Sequence, residues 1–197
     1  MFTHDNKKFK NMIFNHVKHL YNTNNTYHNI NHIIDLLNQI DNIKLSQYEY
    51  NILCAAICYH DCVYIPGKND NEIKSIEKFK FDFNRCDESE IVEEIIKSTI
   101  SFEYKVNLQK NIEITDKLCN IMHDIDYSYF YDFNKLYEAD EKIKKEYLTF
   151  IDENFFNNGR KKFLNELANK EIYRSIYKKY NNIARANIKK LIKLKYS

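Results

Sequence analysis

Apolar residues recur every three or four positions along most of this chain, the spacing of helices that bury one face. Ile30, Ile33, Ile34 and Leu37 predict a helix over about 27–40. Ser46 followed by Glu49 is a capping-box signature. It opens a helix that carries Ile52, Leu53, Ala56, Ile57 and Tyr59 and ends near 60–62. Pro66, Gly67, Asn69 and Asp70 predict a loop, with Asp70 placed to cap a helix through Phe79. Asp87 or Ser89 starts another helix, with Ile91, Ile95, Ile96 and Thr99 on its apolar side. The same rule runs from Asn111 to about Phe130, and three further helices are expected at about 133–150, 153–168 and 170–194. With no internal repeat and no long linker, the expectation is one all-α domain, its core at about 20–130 and a C-terminal helical part at about 131–197.

Composition sharpens this picture. Two Gly and one Pro in 197 residues leave little of the punctuation that sheets and tight turns need. Thirty Lys and Arg stand against 28 Asp and Glu, a net charge of +2, which gives no strong nucleic-acid or membrane signal. The basic run from Lys189 to Lys195 reads as a solvated last helix with cations at its C-terminus. No stretch approaches the ~18 apolar residues of a spanning helix, and no apolar segment follows the N-terminus. A soluble, cytoplasmic protein is expected. The cysteines are Cys54, Cys58, Cys62, Cys86 and Cys119, an odd number that argues against a disulfide framework. Cys54, Cys58 and Cys62 share one helical face; their spacing fits no common zinc pattern, and they are read as buried core thiols.

Candidate chemistry gathers on histidines and acids. His28 and His32 lie four residues apart, which on a helix puts both imidazoles on one face. His60 and Asp61 adjoin each other at a helix end, where neighbouring side chains can both turn inward. Asp124 and Asp126 follow some sixty residues later. Neutral imidazole together with carboxylate suits Mn, Fe, Co, Ni or Zn, and with extra water Mg. Such a set leaves positions open for water and a substrate oxygen. His4, His16, His19 and His123 have no comparable context and are read as surface or structural.

The series resembles the HD superfamily of metal-dependent phosphohydrolases, and within it the small metal-dependent HD phosphohydrolases of bacteria. The matching pieces are Tyr27-His28-Asn29 to His32-Ile33, Ala55 to Tyr64 around His60-Asp61, Asp70-Asn71-Glu72 with Ser75, Ile96 to Thr99, and Asp124-Ile125-Asp126. Later matches are Lys145-Glu146-Tyr147, Gly159-Arg160, Ile172-Tyr173 and Ala184 to Asn187, so the likeness covers about residues 20–190. It implies an HD-domain helical bundle and a divalent metal (Mn, Fe, Co, Ni, Zn or Mg) held by His32, His60, Asp61 and Asp126. Asp124 is the first fallback for the last ligand and Asp116 the second. The implied reaction is hydrolysis of a nucleotide or related small phosphoester by metal-activated water. Asp61 guides the water, Glu72 is a second base or a first-turn helix acid, and His28 protonates the leaving oxygen. Tyr27, Arg160 and Arg185 are candidate substrate contacts, although either arginine can instead brace the fold through a carboxylate. Thr99 is read as a packing residue. The chain departs from the family where Phe102 replaces a His and Asn25 an Arg. Two alternatives stay open: a phosphodiesterase on cyclic or oligonucleotides, and a catalytically quiet module that binds a nucleotide or a partner.

Overall fold

The computed structural model describes residues 2, 5–21, 24–83 and 87–196. Their regular structure is helical throughout, so the all-α expectation holds. Packing divides the chain into two units, residues 1–122 and 123–197.

In the first unit, α1 (Asn6–Val17) begins where the Asp5 carboxylate accepts the backbone N–H groups of Lys7 and Lys8, and it buries Phe9, Ile13 and Val17. This helix lies before the first one that the sequence predicts, at about 27–40. Helix α2 (Ile30–Ile40) buries Ile33, Leu36, Leu37 and Ile40. Helix α3 (Gln47–Tyr59) opens with the expected capping box, in which Ser46 Oγ accepts from Glu49 N and Glu49 Oε2 accepts from Ser46 N at 2.8 Å. Every residue from Tyr50 to Tyr59 is buried. Helix α3 is therefore the axis of this unit, in contact with α1, α2, α4 (Asn71–Phe83) and α5 (Asp87–Ser98). A helix apolar on all sides can only sit at such a centre.

Helix α4 runs four residues past the expected Phe79 because Phe79 and Phe83 both pack on the Tyr59 ring, and Tyr59 Oη donates to Asp82 at 2.7 Å. The loop before it turns at Gly67, which takes the left-handed φ of 77°. Asn71 fastens this loop by bonding Ile65 N, Ile65 O and Lys68 O. Asp70 directs its carboxylate to Lys74 at 2.8 Å. Helix α6 (Ile112–Asp126) follows Asn111, a residue type that tolerates its positive φ of 58°.

The second unit takes in the last turn of α6, a 3₁₀ turn at Ser128–Tyr131, α7 (Phe133–Tyr147), α8 (Glu153–Leu167) and α9 (Asn181–Lys195). Asp132 and Asp152 cap α7 and α8 through their carboxylates. Helix α9 packs against α7, α8 and the 3₁₀ turn. The helix expected over 170–194 starts only at Asn181. Residues 173–177 are instead held by side chains: Asp124 accepts the N–H groups of Arg174, Ser175 and Tyr177, and Asn181 bonds both N and O of Tyr173. Backbone groups committed in this way cannot join a helical ladder.

Candidate metal centre

The centre forms where the start of α2 meets the end of α3. Asn29 caps α2 by accepting Asn31 N at 2.9 Å, and the chain before it bends. Asn25 ties that bend: its side chain donates to His28 O, and its own carbonyl accepts from the Asn29 side chain. His32 therefore sits in the first turn of α2, whereas His28 precedes the helix. The expectation that the two imidazoles share a helical face is corrected here, because an Asn side chain competes for the helix start and claims it at position 29. Asn25 is thus the brace of this bend.

At the other side, α3 stops at Tyr59 and His60 is its C-cap. The end of the helix lets His60 and Asp61 face the same interior, and they are 2 % and 8 % exposed. The ligand atoms of His32, His60 and Asp61 lie within 4.8 Å of one another, a group able to hold a metal ion. The rings of His32 and His60 are 5.6 Å apart and inclined at 61°.

One arrangement defines the chemistry. His60 Nδ1 is 2.9 Å from the carbonyl oxygen of Ile57, which only accepts, so the ring proton sits on Nδ1. That leaves Nε2 directed at the carboxylate oxygen Oδ2 of Asp61, 3.1 Å away. A lone pair facing an anionic oxygen at this distance needs a positive centre: a second ring proton or a bound cation. An imidazole anchored to a backbone carbonyl through its other nitrogen is the usual support of a metal-binding histidine. Burial works to raise the Asp61 carboxyl, yet the positive influence of His60, then of His28 and His32, holds it well below the usual carboxylate range.

An aromatic and acidic rim adjoins these groups. The His28 ring stacks on Tyr64 at 3.7 Å, and the Tyr27 ring lies 4.9 Å from His28 and 5.0 Å from His32. Glu72 occupies the first turn of α4. Burial and then the Asp61 charge raise its carboxyl above the ordinary value, with His60 and His28 pulling the other way. Tyr64 is a neighbour of the site that the sequence does not mark, because residue spacing carries no sign of a ring stack.

Asp126, the implied fourth ligand, ends α6 and belongs to the second unit, where it influences His123 and Tyr129. The metal-holding group among the described residues is made of first-unit residues alone. Asp124 spends its carboxylate on three backbone N–H groups, and Asp116 accepts from Asn120 at the surface. Arg160 braces the fold: its Nε donates to Asp140 at 2.8 Å. Arg185 donates to Asn182, one turn back along α9. Thr99 Oγ1 donates to Ile96 O. His19 is exposed, exposed His16 meets Asp82 at 3.2 Å, and buried His123 is bonded to Ile172 O. Cys54, Cys58, Cys62 and Cys119 are buried and in no disulfide. His4 and Cys86 lie outside the described residues. Among the described residues no helix is long and apolar enough to cross a membrane.

No protein-family model, no curated protein and no solved structure matches the chain.

Proposed function

We propose that the first unit holds a divalent cation at His32, His60 and Asp61 and hydrolyses a phosphoester of a small, nucleotide-like molecule, in the manner of the HD superfamily that the sequence resembles. The observation that carries this reading is the Nδ1-anchored His60, whose Nε2 confronts the Asp61 carboxylate beside His32. Two imidazoles and a carboxylate suit Mn, Fe, Co, Ni or Zn, and with more water Mg. When bound, such an ion lowers the pKa of water and offsets charge developing on a phosphoryl group.

The chain's own groups supply the rest. Asp61 has a second carboxylate oxygen that accepts a proton from the attacking water. Glu72, raised by burial, is a further proton acceptor or donor at the rim. His28, held flat against Tyr64, protonates the leaving oxygen, and Tyr27, whose ring lies 4.9 Å from that of His28, is the candidate contact for a substrate ring. Arg160, engaged with Asp140, is left out of phosphate binding. An intracellular, reducing setting agrees with four buried cysteines that form no disulfide.

The test is elemental analysis of the purified protein, followed by turnover of aryl phosphates with Mn or Co. The expected result is a bound transition metal and a monoester hydrolysed faster than a diester. His60→Ala and Asp61→Ala should each remove both metal and turnover; turnover that survives either change overturns the site. A faster diester reaction transfers the assignment to a phosphodiesterase. Metal without turnover of either ester leaves a quiet binding module.

A further inference from the structure

The net charge of +2 conceals a segregation of charge along the chain. Residues 170–197 carry nine Lys and Arg against one acid, Glu171, while residues 1–169 carry 21 against 27. Within the second unit this basic stretch forms α9 and the 3₁₀ turn before it, Lys178–Tyr180. Helix α9 has no acidic residue. It buries Asn181, Ala184, Ile188 and Leu191 and exposes Lys189, Lys190 and Lys193. Arg185, Lys189 and Lys193 recur every four residues and so form one row along the helix. Like charges at that spacing weaken a helix. The helix dipole compensates Lys193 in the last turn, but its influence does not extend to Arg185 and Lys189. Among the described residues, Lys179, Lys189 and Lys190 meet no carboxylate. A basic row of this kind is the electrostatic signature of a polyanion-binding face.

Aromatic rings stand among these cations. Lys190 Nζ lies 3.8 Å from the centre of the Phe133 ring, and Lys179 Nζ lies 5.0 Å from that of Tyr180. Tyr180 stacks on Tyr131 at 4.8 Å, and Tyr177 packs against Tyr131 at 5.4 Å and Tyr180 at 6.1 Å. Asn187 of α9 pins the turn that carries Tyr131 by donating to Phe130 O at 3.0 Å. Tyr131, Phe133, Tyr177 and Tyr180 are each half-buried, so part of every ring is open to solvent.

We propose that this face of the second unit binds a single strand of nucleic acid, its phosphates meeting Lys179, Arg185, Lys189 and Lys190 and its bases stacking on the open parts of the tyrosine group and Phe133. Single strands offer phosphates and the flat faces of bases together, which is what a cationic surface set with rings can hold. In a duplex the bases cover one another and leave the rings nothing to meet. An anionic membrane would also answer the cations, but it asks for a continuous apolar stripe on the helix. The exposed apolar residues of α9, Ile183 and Leu194, are separated along their row by Asn187 and Lys190. The face is built from second-unit residues and does not depend on the reaction proposed for the first unit.

The test is fluorescence anisotropy of labelled oligouridine and oligothymidine, about twelve nucleotides long, titrated with the full chain in the presence of a chelator. Saturable binding is expected, weakened about fiftyfold between about 50 and about 200 mM salt as four phosphate contacts are screened. An abasic strand of the same length should bind about tenfold more weakly, the loss of roughly one stacked base. Both readouts use the unaltered protein and stand whether or not a variant folds. Lys189→Gln combined with Lys190→Gln removes two of the four contacts and should halve the salt slope while the circular dichroism spectrum is unchanged. Preference for the uridine or the thymidine strand tells RNA from DNA, and either supports the face. Absent binding, an affinity indifferent to salt, an abasic strand or a duplex bound as tightly, an unchanged slope in the folded double variant, or binding seen only with phosphatidylserine vesicles would each overturn the assignment, the last in favour of a membrane.

Discussion

Two buried histidines answer to opposite demands. His60 directs a ring nitrogen at a carboxylate and calls for a positive centre. His123 is bonded through Nε2 to Ile172 O, and burial followed by the Arg174 charge lowers its pKa to about 4. In the unfolded chain the same ring takes its proton near 6.5. Protonation therefore favours the unfolded state as pH falls from about 6.5 towards 4, and the stability lost across that window is about 3 kcal/mol. Above pH 6.5 both states are neutral and the loss vanishes. His123→Gln keeps a donor for Ile172 and removes the titration. Urea unfolding at pH 7 and pH 4.5 should show a smaller acid loss in the variant; equal losses would refute this account of His123. The sequence leaves His123 as either surface or structural, and it names His32, His60 and Asp61 as neighbours. It could not show that Asn29 starts α2 one residue past His28, nor that Arg160 finds Asp140 twenty positions earlier, because such pairings are fixed by packing between helices and leave no local signal.

At the scale of elements, the strongest local signals were the most informative. Ser46 and Glu49 cap α3 as expected, and α3 delivers His60 at its far end. Ser46→Ala should cost about 1 kcal/mol, a fall of about 2–4 °C in melting temperature for a chain of this size. Thermal unfolding followed by circular dichroism checks it, and an unchanged midpoint would mean that the cap is dispensable. The last helix shows the opposite case. Apolar spacing persists through Ile172, Tyr173 and Ile176, so periodicity extends the helix back to 170, while the structure gives residues 173–177 to Asp124 and Asn181. Asp124→Ala strips the acceptor from three N–H groups, each worth about 1–3 kcal/mol where it is buried. Hydrogen exchange at Arg174, Ser175 and Tyr177 should accelerate strongly; retained protection there would show that other acceptors suffice.

For the molecule as a whole, helix content was legible from scarce Gly and Pro and from apolar spacing. The division at residues 122 and 123 was not, since it falls inside the continuous helix α6 and no linker announces it. A cation bound only by the folded first unit stabilises it by about 2.7 kcal/mol at a hundredfold excess over its dissociation constant. Chelation should therefore lower the melting temperature of the unaltered protein and leave His32→Ala where it was. Scanning calorimetry with and without chelator reads this directly, and a melting curve indifferent to chelator in both would argue against a resident ion.

The sulfur atoms along α3 have a practical consequence. Cys54 and Cys58 are sealed within the axial helix and Cys62 lies just beyond it, and burial pushes the Cys62 thiol up to about 12, so almost no thiolate is present at neutral pH. A maleimide or iodoacetamide can reach them only when the first unit opens. Their alkylation rate is thus an intrinsic clock for how often that unit breathes, wired into the helix that ends in His60 and readable by mass spectrometry without adding a label.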